Sequence, residues 1–360
     1  MTKNNKRLLS LDVLRGITVA GMILVNDGYG ESFTVLKHST WNGMTPCDLV
    51  FPFFLFIMGI STYLSLRKFQ FHATKPVVWK IIRRTVIIFA IGLAINWFDK
   101  AIGGDWLPLH TIRIMGVMQR IALCYCAVSL IALNINHKYL LHVAFGLLII
   151  YTLILLYGNG YAQSAENIAA RIDNAIFGYD HLYHKSPIDP EGLLGTISAI
   201  AHTLLGFFAC KMMIEAKDTQ EKVLRFLLFG GILVIAGYLL SYGMPLNKRI
   251  WSPSYVLMTC GLCSLLQGII MYILDLRQSK QNALTTFFLI FGINPLFLYV
   301  LSEVLAIIFG HTGISTLIYN PIHAVIIHDC WASCCYAIVF TLICGAFGYL
   351  LYKKKIYIKI

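Results

Sequence analysis

The chain has 360 residues, of which 58% are hydrophobic and only 13% are charged, and its mean hydropathy is +0.71. A water-soluble domain usually carries about 25% charged residues, so this composition excludes a soluble protein and predicts one that crosses a membrane several times. The formal net charge of +12 would indicate nucleic-acid binding only if the basic residues formed a patch. Here they sort to one side of the predicted bilayer. We therefore expect a lipid bilayer as a partner and no nucleic acid.

Apolar runs long enough to cross the hydrocarbon core recur along the whole chain, and they predict an all-α polytopic membrane protein with about ten transmembrane helices. The predicted spans are 11–30, 47–66, 78–98, 113–134, 139–157, 193–214, 224–243, 254–274, 284–309 and 330–352. The third begins among several basic residues. The ninth contains Asn294-Pro295, which should kink it. The semi-apolar tract 310–329 suits a re-entrant or interfacial segment.

The basic residues predict the orientation. If the N-terminus is cytoplasmic and ten spans alternate, most of the 29 Lys and Arg fall in cytoplasmic segments or at the adjacent span ends. Both termini are therefore expected in the cytoplasm. The link between the first two spans and the longest loop, 158–192, then face outward.

The ten cysteines lie mostly within apolar runs, where a buried thiol behaves as a small hydrophobe. Cys260 and Cys263 have the CxxC spacing but no second pair accompanies them. We therefore expect neither a metal site nor a disulfide framework.

The first span carries Asp12 and Arg15 near its cytoplasmic end. Residues three apart share a helix face. The pair fits either a self-neutralising anchor at the interface or a site at which Arg15 meets an anionic ligand from the cytoplasm and Asp12 orients it.

The outward link places Asn26, His38, Trp41, Asn42 and Asp48 between two very apolar segments. Polar and ionisable groups held at a membrane are expensive and usually functional. A carboxylate such as Asp48 can fix the tautomer of His38, which then accepts a proton, and asparagine can donate to a developing oxyanion. This set suits transfer of an acyl group to an amine or hydroxyl. The alternatives are a structural or solvated histidine, and for Trp41 an interfacial anchor in place of a sugar platform.

Arg113 and Arg120 are seven residues apart in the fourth span, with Gln119 beside them. Two arginines in one apolar run are costly unless they face the bundle interior, and the planar guanidinium suits phosphate groups. The alternatives are an interfacial position for Arg113 and an internal ion pair for Arg120, with Glu303 as a candidate partner.

Two further segments face outward. Asp189 and Glu191 lie at the mouth of the sixth span, where acidic side chains suit a helix N-terminus or recognition of a cationic or hydroxyl-rich acceptor. The segment 245–255, which contains Trp251, could close over a site or lie at the bilayer edge.

Several segments together resemble the heparan-α-glucosaminide N-acetyltransferase family, transmembrane enzymes that acetylate terminal glucosamine with acetyl-CoA. The similar segments are LDVLRG (11–16), VNDGYG (25–30), KHSTWNGMTPCDLVFPFFLFIMG (37–59), RIMGVMQRI (113–121), DPEGLLGTI (189–197), LNKRIWSPSYV (246–256) and GINPLFLYV (292–300). They run in order over nearly the whole chain. The segment 37–59 is the specific one, and the resemblance is strongest over 7–130.

The resemblance implies a single transmembrane acyltransferase domain, 1–360, whose helices surround a cavity for acetyl-CoA and the acceptor. The family's catalytic histidine falls on His38 and a functional asparagine on Asn26. The extra N-terminal span and the lumenal domain of the animal lysosomal enzyme have no counterpart here. We therefore expect a multi-pass bacterial member in the cytoplasmic (inner) membrane, with a glucosamine-containing glycan as acceptor.

These observations predict an acetyl-CoA-dependent amino-sugar N-acetyltransferase. The expected catalytic residues are His38, Asn26 and Asp48. The expected acetyl-CoA contacts are Arg15, Arg113, Gln119 and Arg120. The expected acceptor contacts are Trp41, Asn42, Asp189, Glu191 and Trp251. The alternatives are an O-acyltransferase on a surface glycan, a secondary transporter for a sugar or small anion, and an acyl-CoA-binding subunit without turnover. The sequence leaves the oligomeric state open, with a homodimer among the options.

Overall fold

The computed structural model describes residues 8–183 and 186–358, and within these ranges the protein is helical, with no β-strand. The helices are α1 (Leu9–Asn26), α2 (Val50–Arg67), α3 (Lys75–Ile102), α4 (Val117–Asn134), α5 (Leu140–Tyr157), α6 (Ile168–Phe177), α7 (Gly195–Ile214), α8 (Thr219–Ser241), α9 (Pro253–Met271), α10 (Ala283–Ile293), α11 (Pro295–Thr312), α12 (Ile314–Val325) and α13 (Asp329–Lys353). The all-α, polytopic class predicted from the sequence is confirmed.

Nine helices in the described ranges are long and apolar enough to cross a membrane, and each corresponds to one of the ten predicted spans. The remaining predicted span is α3, whose 28 residues rise about 42 Å. Near its start Lys80 lines the same cavity as Lys68 of α2. Near its end Asp99 accepts a hydrogen bond of 3.0 Å from His311 at the end of α11. Helix α3 therefore runs from one face of the bundle to the other. Its basic residues lower its mean hydropathy but do not shorten it.

The predicted ninth span, 284–309, begins in the wrong place. At Asn294 the chain breaks into two helices, α10 and α11. Helix α10 has 11 residues and at about 16 Å is too short to cross the membrane, whereas α11 is long enough to cross. The Asn294 side chain donates to the carbonyl oxygen of Ile356 (2.9 Å) and accepts from the amide of Ile358 (2.8 Å). These bonds fasten the break to the C-terminal segment, so Asn294-Pro295 separates two helices where the sequence predicted a kink in one.

Helix α1 lies inside the bundle, in contact with α2, α9, α10, α11 and α13. Its closest approach is to α10, at Gly16 and Gly292. A Cβ atom added to Gly16 would overlap the carbonyl oxygen of Phe288, and one added to Gly292 would overlap that of Asp12. The two backbones are therefore in direct contact, as small residues allow in membrane helices.

Substitution of Gly16 or Gly292 by alanine should destabilise the bundle, because the two backbones must separate to admit a methyl group. Overpacking of this kind costs about 1–3 kcal/mol. Thermal unfolding of the purified protein in detergent measures the effect. Gly146→Ala in α5 is the matched control, since no atom lies within 4 Å of its added Cβ. A melting temperature equal to that of the wild type in both Gly16→Ala and Gly292→Ala would contradict the contact.

Candidate active site

The link between α1 and α2 is organised by the carboxylate of Asp48, whose side chain is fully buried. A short 3₁₀ turn, Pro46–Leu49, presents it to the chain that precedes it. Oδ2 of Asp48 accepts from the backbone amides of Ser39 and Thr45, both at 3.1 Å, and from the Thr45 hydroxyl at 3.1 Å. These donors leave Oδ1 for the imidazole of His38, whose Nδ1 lies 2.8 Å away.

The ring of His38 is held on one side and open on the other. An ionised carboxylate only accepts hydrogen bonds, so Nδ1 facing Asp48 carries a proton, and in the neutral ring this tautomer leaves the lone pair on Nε2. The side chain is 43% exposed, which leaves Nε2 within reach of a ligand. The thiol of Cys47 also contacts the ring, with Sγ 3.1 Å from Nδ1. This arrangement, a carboxylate behind an accessible imidazole, is that of a general base.

A second loop, 245–252, closes against this link. The side-chain amide of Asn247 donates to Oδ1 of Asn42 (3.2 Å), and the backbone amide of Gly43 donates to the carbonyl oxygen of Leu246 (2.7 Å). Asn42, predicted as an acceptor contact, therefore joins the two loops.

Lys248 is the functional candidate that the sequence analysis did not select. Its Nζ lies 3.0 and 3.1 Å from the two ring nitrogens of His38 and 3.6 Å from Oδ1 of Asp48. Burial lowers the pKa of the Lys248 ammonium, and the carboxylates of Asp48 and Glu191 oppose that shift. The segment 246–256 was recognised in the sequence, but the partners of Lys248 lie about two hundred residues earlier in the chain, beyond the reach of any local pattern.

Arg113 binds the two acidic side chains predicted to recognise the acceptor. Its Nη2 lies 2.6 Å from Asp189 and 2.6 Å from Glu191, and its Nε lies 3.2 Å from Asp189. Burial raises the pKa of Glu191, but the cations of Arg113 and Arg120 outweigh burial and hold it below its ordinary value. The single guanidinium of Arg113 bridges both carboxylates, so in this structure their charges connect the chain before α4 to the chain before α7.

Arg120 and Gln119 are buried and do not line the cavity described below. Nη2 of Arg120 donates to the carbonyl oxygen of Gly192 (2.8 Å), and its guanidinium stacks over the ring of Trp251, 5.1 Å from the ring centre. Within the described residues Arg120 forms no ion pair with Glu303, which bonds to Tyr299, and the acetyl-CoA contacts of Arg120 and Gln119 stay predictions.

The two predicted tryptophan contacts differ. Trp251 is fully buried beneath Arg120, and its contact with the acceptor stays a prediction. Trp41 is partly buried, and its Nε1 donates to the carbonyl oxygen of Tyr161 (3.0 Å). Asn26 is the last residue of α1 and is exposed at the same end of the bundle as His38.

A cavity of about 560 Å³ opens at the opposite end of the bundle, the end to which the basic residues sort. This volume is within the usual range of small-molecule sites, about 300–1,000 Å³. Its charged lining residues are Arg15, Lys68, Lys80 and Arg84. Arg15, a predicted acetyl-CoA contact, donates here to Asp12 and Ser61, both at 3.0 Å. Sequence reasoning used the other three only as orientation signals, because only the packing of the helices brings them to one cavity.

The fold and these two sites define a class: a polytopic helical membrane protein with a histidine–carboxylate site at one end of its helical bundle and a cationic cavity at the other. Residues 7–168 match the family model described as heparan-alpha-glucosaminide N-acetyltransferase, catalytic. The human heparan-alpha-glucosaminide N-acetyltransferase is 29% identical over 98% of this chain, and the mouse protein of that name is 30% identical over 83%. The chain spans 60% and 54% of the lengths of these relatives. It belongs to the heparan-α-glucosaminide N-acetyltransferase family.

Beside the site, Asp173 in α6 carries a charge that is poorly compensated. Its side chain is buried; Oδ1 accepts from the amide of Leu193 (2.8 Å), while Oδ2 has no hydrogen-bond partner among the residues that the structure describes. Burial, with a smaller contribution from Asp189, raises the pKa of Asp173 to about 6.

Asp173→Asn should therefore stabilise the protein above pH 6. The folded state binds the Asp173 proton more tightly than the unfolded chain, whose carboxyl titrates near pH 3.9. The cost of the charge is thus absent below about pH 4, grows between pH 4 and 6, and is complete above pH 6 at about 2–3 kcal/mol. Asparagine keeps the bond to Leu193 without the charge. Melting temperatures measured at pH 4 and pH 7.5 check this, with the exposed Asp180→Asn as control. An equal effect of Asp173→Asn at both pH values would contradict it.

Proposed function

We propose that this protein is a transmembrane acetyltransferase that moves the acetyl group of acetyl-CoA to the amine of a glucosamine-type sugar, with His38 as general base. The observation that carries the proposal is the course of the cavity along α2. Its lining residues extend along this helix from Phe54 to Ser65 and on to Lys68, which directly follows the helix, about 21 Å in all. Phe54 is one turn from Val50, where α2 begins directly after the 3₁₀ turn of Asp48.

The cationic end of the cavity suits the donor. CoA carries its phosphates at one end of a long flexible arm and the reactive thioester at the other. Lys80 and Arg84 line the cavity close to the cytoplasmic side, where they would hold phosphate groups by charge-assisted bonds. The arm would then follow α2 toward the outer face and bring the thioester near His38.

The outer site suits the chemistry. The amine nitrogen attacks the thioester carbonyl carbon while Nε2 of His38 takes a proton from that nitrogen. The new C–N bond forms, the C–S bond breaks, and the departing CoA thiolate takes up the proton from the imidazolium. Asp48 would stabilise the imidazolium through Nδ1, as it holds the neutral ring now. Asn26 at the end of α1 is proposed to polarise the carbonyl. A two-step variant would place the acetyl group on Nε2 first.

The acceptor is proposed to be a glucosamine-containing glycan that approaches from the outer side, where the loops 27–49 and 245–252 meet. The membrane is proposed to be a bacterial cytoplasmic membrane, because the basic residues sort to one face in the manner of cytoplasmic loops.

His38→Ala should reduce acetyl transfer by about 10²–10⁴-fold, the usual contribution of a general base, in protein whose melting curve shows that it still folds. The assay follows free-thiol release from acetyl-CoA by purified protein with glucosamine, and mass spectrometry identifies the product. N-acetylglucosamine, which offers only hydroxyls, separates N- from O-acylation. The exposed His110→Ala is the matched control. Full activity in folded His38→Ala would remove the proposed base.

Lys80→Gln and Arg84→Gln should each raise the KM for acetyl-CoA about tenfold or more, because a hydrogen bond to a charged group contributes about 1.5–3 kcal/mol. The KM for the sugar should not change. Lys100→Gln is the matched control, since Lys100 is exposed at the opposite end of the same helix. An unchanged acetyl-CoA KM in both variants would place the donor elsewhere.

A further inference from the structure

We propose that Lys248 is a positioning residue that sets the charge state of His38, keeping the imidazole neutral and ready to accept a proton. This inference rests on the proposed acetyl transfer and adds a residue to it. It begins from geometry. The Nζ of Lys248 is almost equally distant from Nδ1 and Nε2 of His38, at 3.0 and 3.1 Å.

An ammonium at equal distance from both nitrogens of one five-membered ring cannot lie in line with either lone pair, because those lone pairs point in different directions in the ring plane. It therefore stands over the face of the imidazole. In that position it leaves Nε2 free for the acceptor while placing a positive charge against the ring.

The groups around His38 come from two segments of the chain. On its own segment, Asp48 meets Nδ1 and the neutral thiol of Cys47 contacts the ring. From the loop before α9, Lys248 meets the ring, and Glu191 in turn attracts Lys248. Asp48 favours the protonated imidazole, whereas Lys248 disfavours it by like-charge repulsion and by sharing the Asp48 carboxylate at 3.6 Å.

The loop that carries Lys248 is firmly held. Its neighbours Asn247, Ile250 and Trp251 are at most 1% exposed, and the Asn247 side chain accepts from the amide of Ile250 (3.2 Å). A lysine on such a loop has little freedom to leave the ring. Without its charge, Asp48 alone would act on His38, and the base would be protonated, and so unable to act, at a higher pH.

The test measures the titration of His38 directly. Diethyl pyrocarbonate modifies only the neutral imidazole, and peptide mass spectrometry reports modification of His38 separately from the other histidines. The pH at half-maximal modification should rise by at least about one unit in Lys248→Met, since a charge this close shifts a pKa by about 1–3 units. In Lys248→Arg, which keeps the charge, it should stay near the wild-type value.

The acid limb of kcat/KM for acetyl transfer should move to higher pH by the same amount in Lys248→Met. Arg249→Met is the matched control: it removes a charge one residue along the loop, and in the described parts of the chain Arg249 makes no hydrogen bond or ion pair to His38. A lower melting temperature or rate in Lys248→Met with an unmoved midpoint would mean a purely structural role and would overturn the inference. A shifted midpoint in protein that acetylates no amine would instead overturn the proposed function and leave the charge effect standing.

Discussion

The outer site depends on the buried carboxylate of Asp48. Four hydrogen bonds from three residues converge on it, two from backbone amides and two from the side chains of Thr45 and His38. Lys248 contributes a fifth, ionic contact at 3.6 Å. A buried charge without such partners would be strongly destabilising. Because these partners come from two parts of the link and from a loop about two hundred residues later, satisfying this one charge also fixes the position of the imidazole.

The same principle recurs one layer away. Arg113 lies in the segment before α4 and binds two carboxylates in the segment before α7. Arg113 and its two carboxylates are thus placed by one another across distant segments, and the loops at this end of the bundle form a connected network. Asp173 differs, because one of its oxygens has no hydrogen-bond partner in the described part of the chain. Strain or uncompensated charge beside a functional site is a common feature of enzymes.

The two faces of the molecule are joined by α2. This helix begins directly after the turn that holds Asp48, and its side chains down to Lys68 line the cationic cavity. A ligand that occupies the cavity and a group that reacts at His38 therefore share one rigid element. The separation of a polar outer site from a basic inner cavity also distinguishes this arrangement from a transporter, whose binding site usually lies near the bilayer midplane.

The amino-acid sequence alone determined the class of the fold and the positions of nearly all crossings, because spanning a bilayer imposes a length and a hydropathy that any segment must show by itself. The orientation that the basic residues indicate stays a prediction. It also singled out His38 with Asp48, ten residues apart in a short link, as a base and its orienting carboxylate. The break at Asn294 was misjudged, since the bonds to Ile356 and Ile358 that separate α10 from α11 involve a segment about sixty residues later. The partners of Arg113 and the position of Lys248 over the imidazole were decided only by the tertiary structure. A charge in the sequence shows that it must be compensated, but which distant residue compensates it depends on how the helices pack.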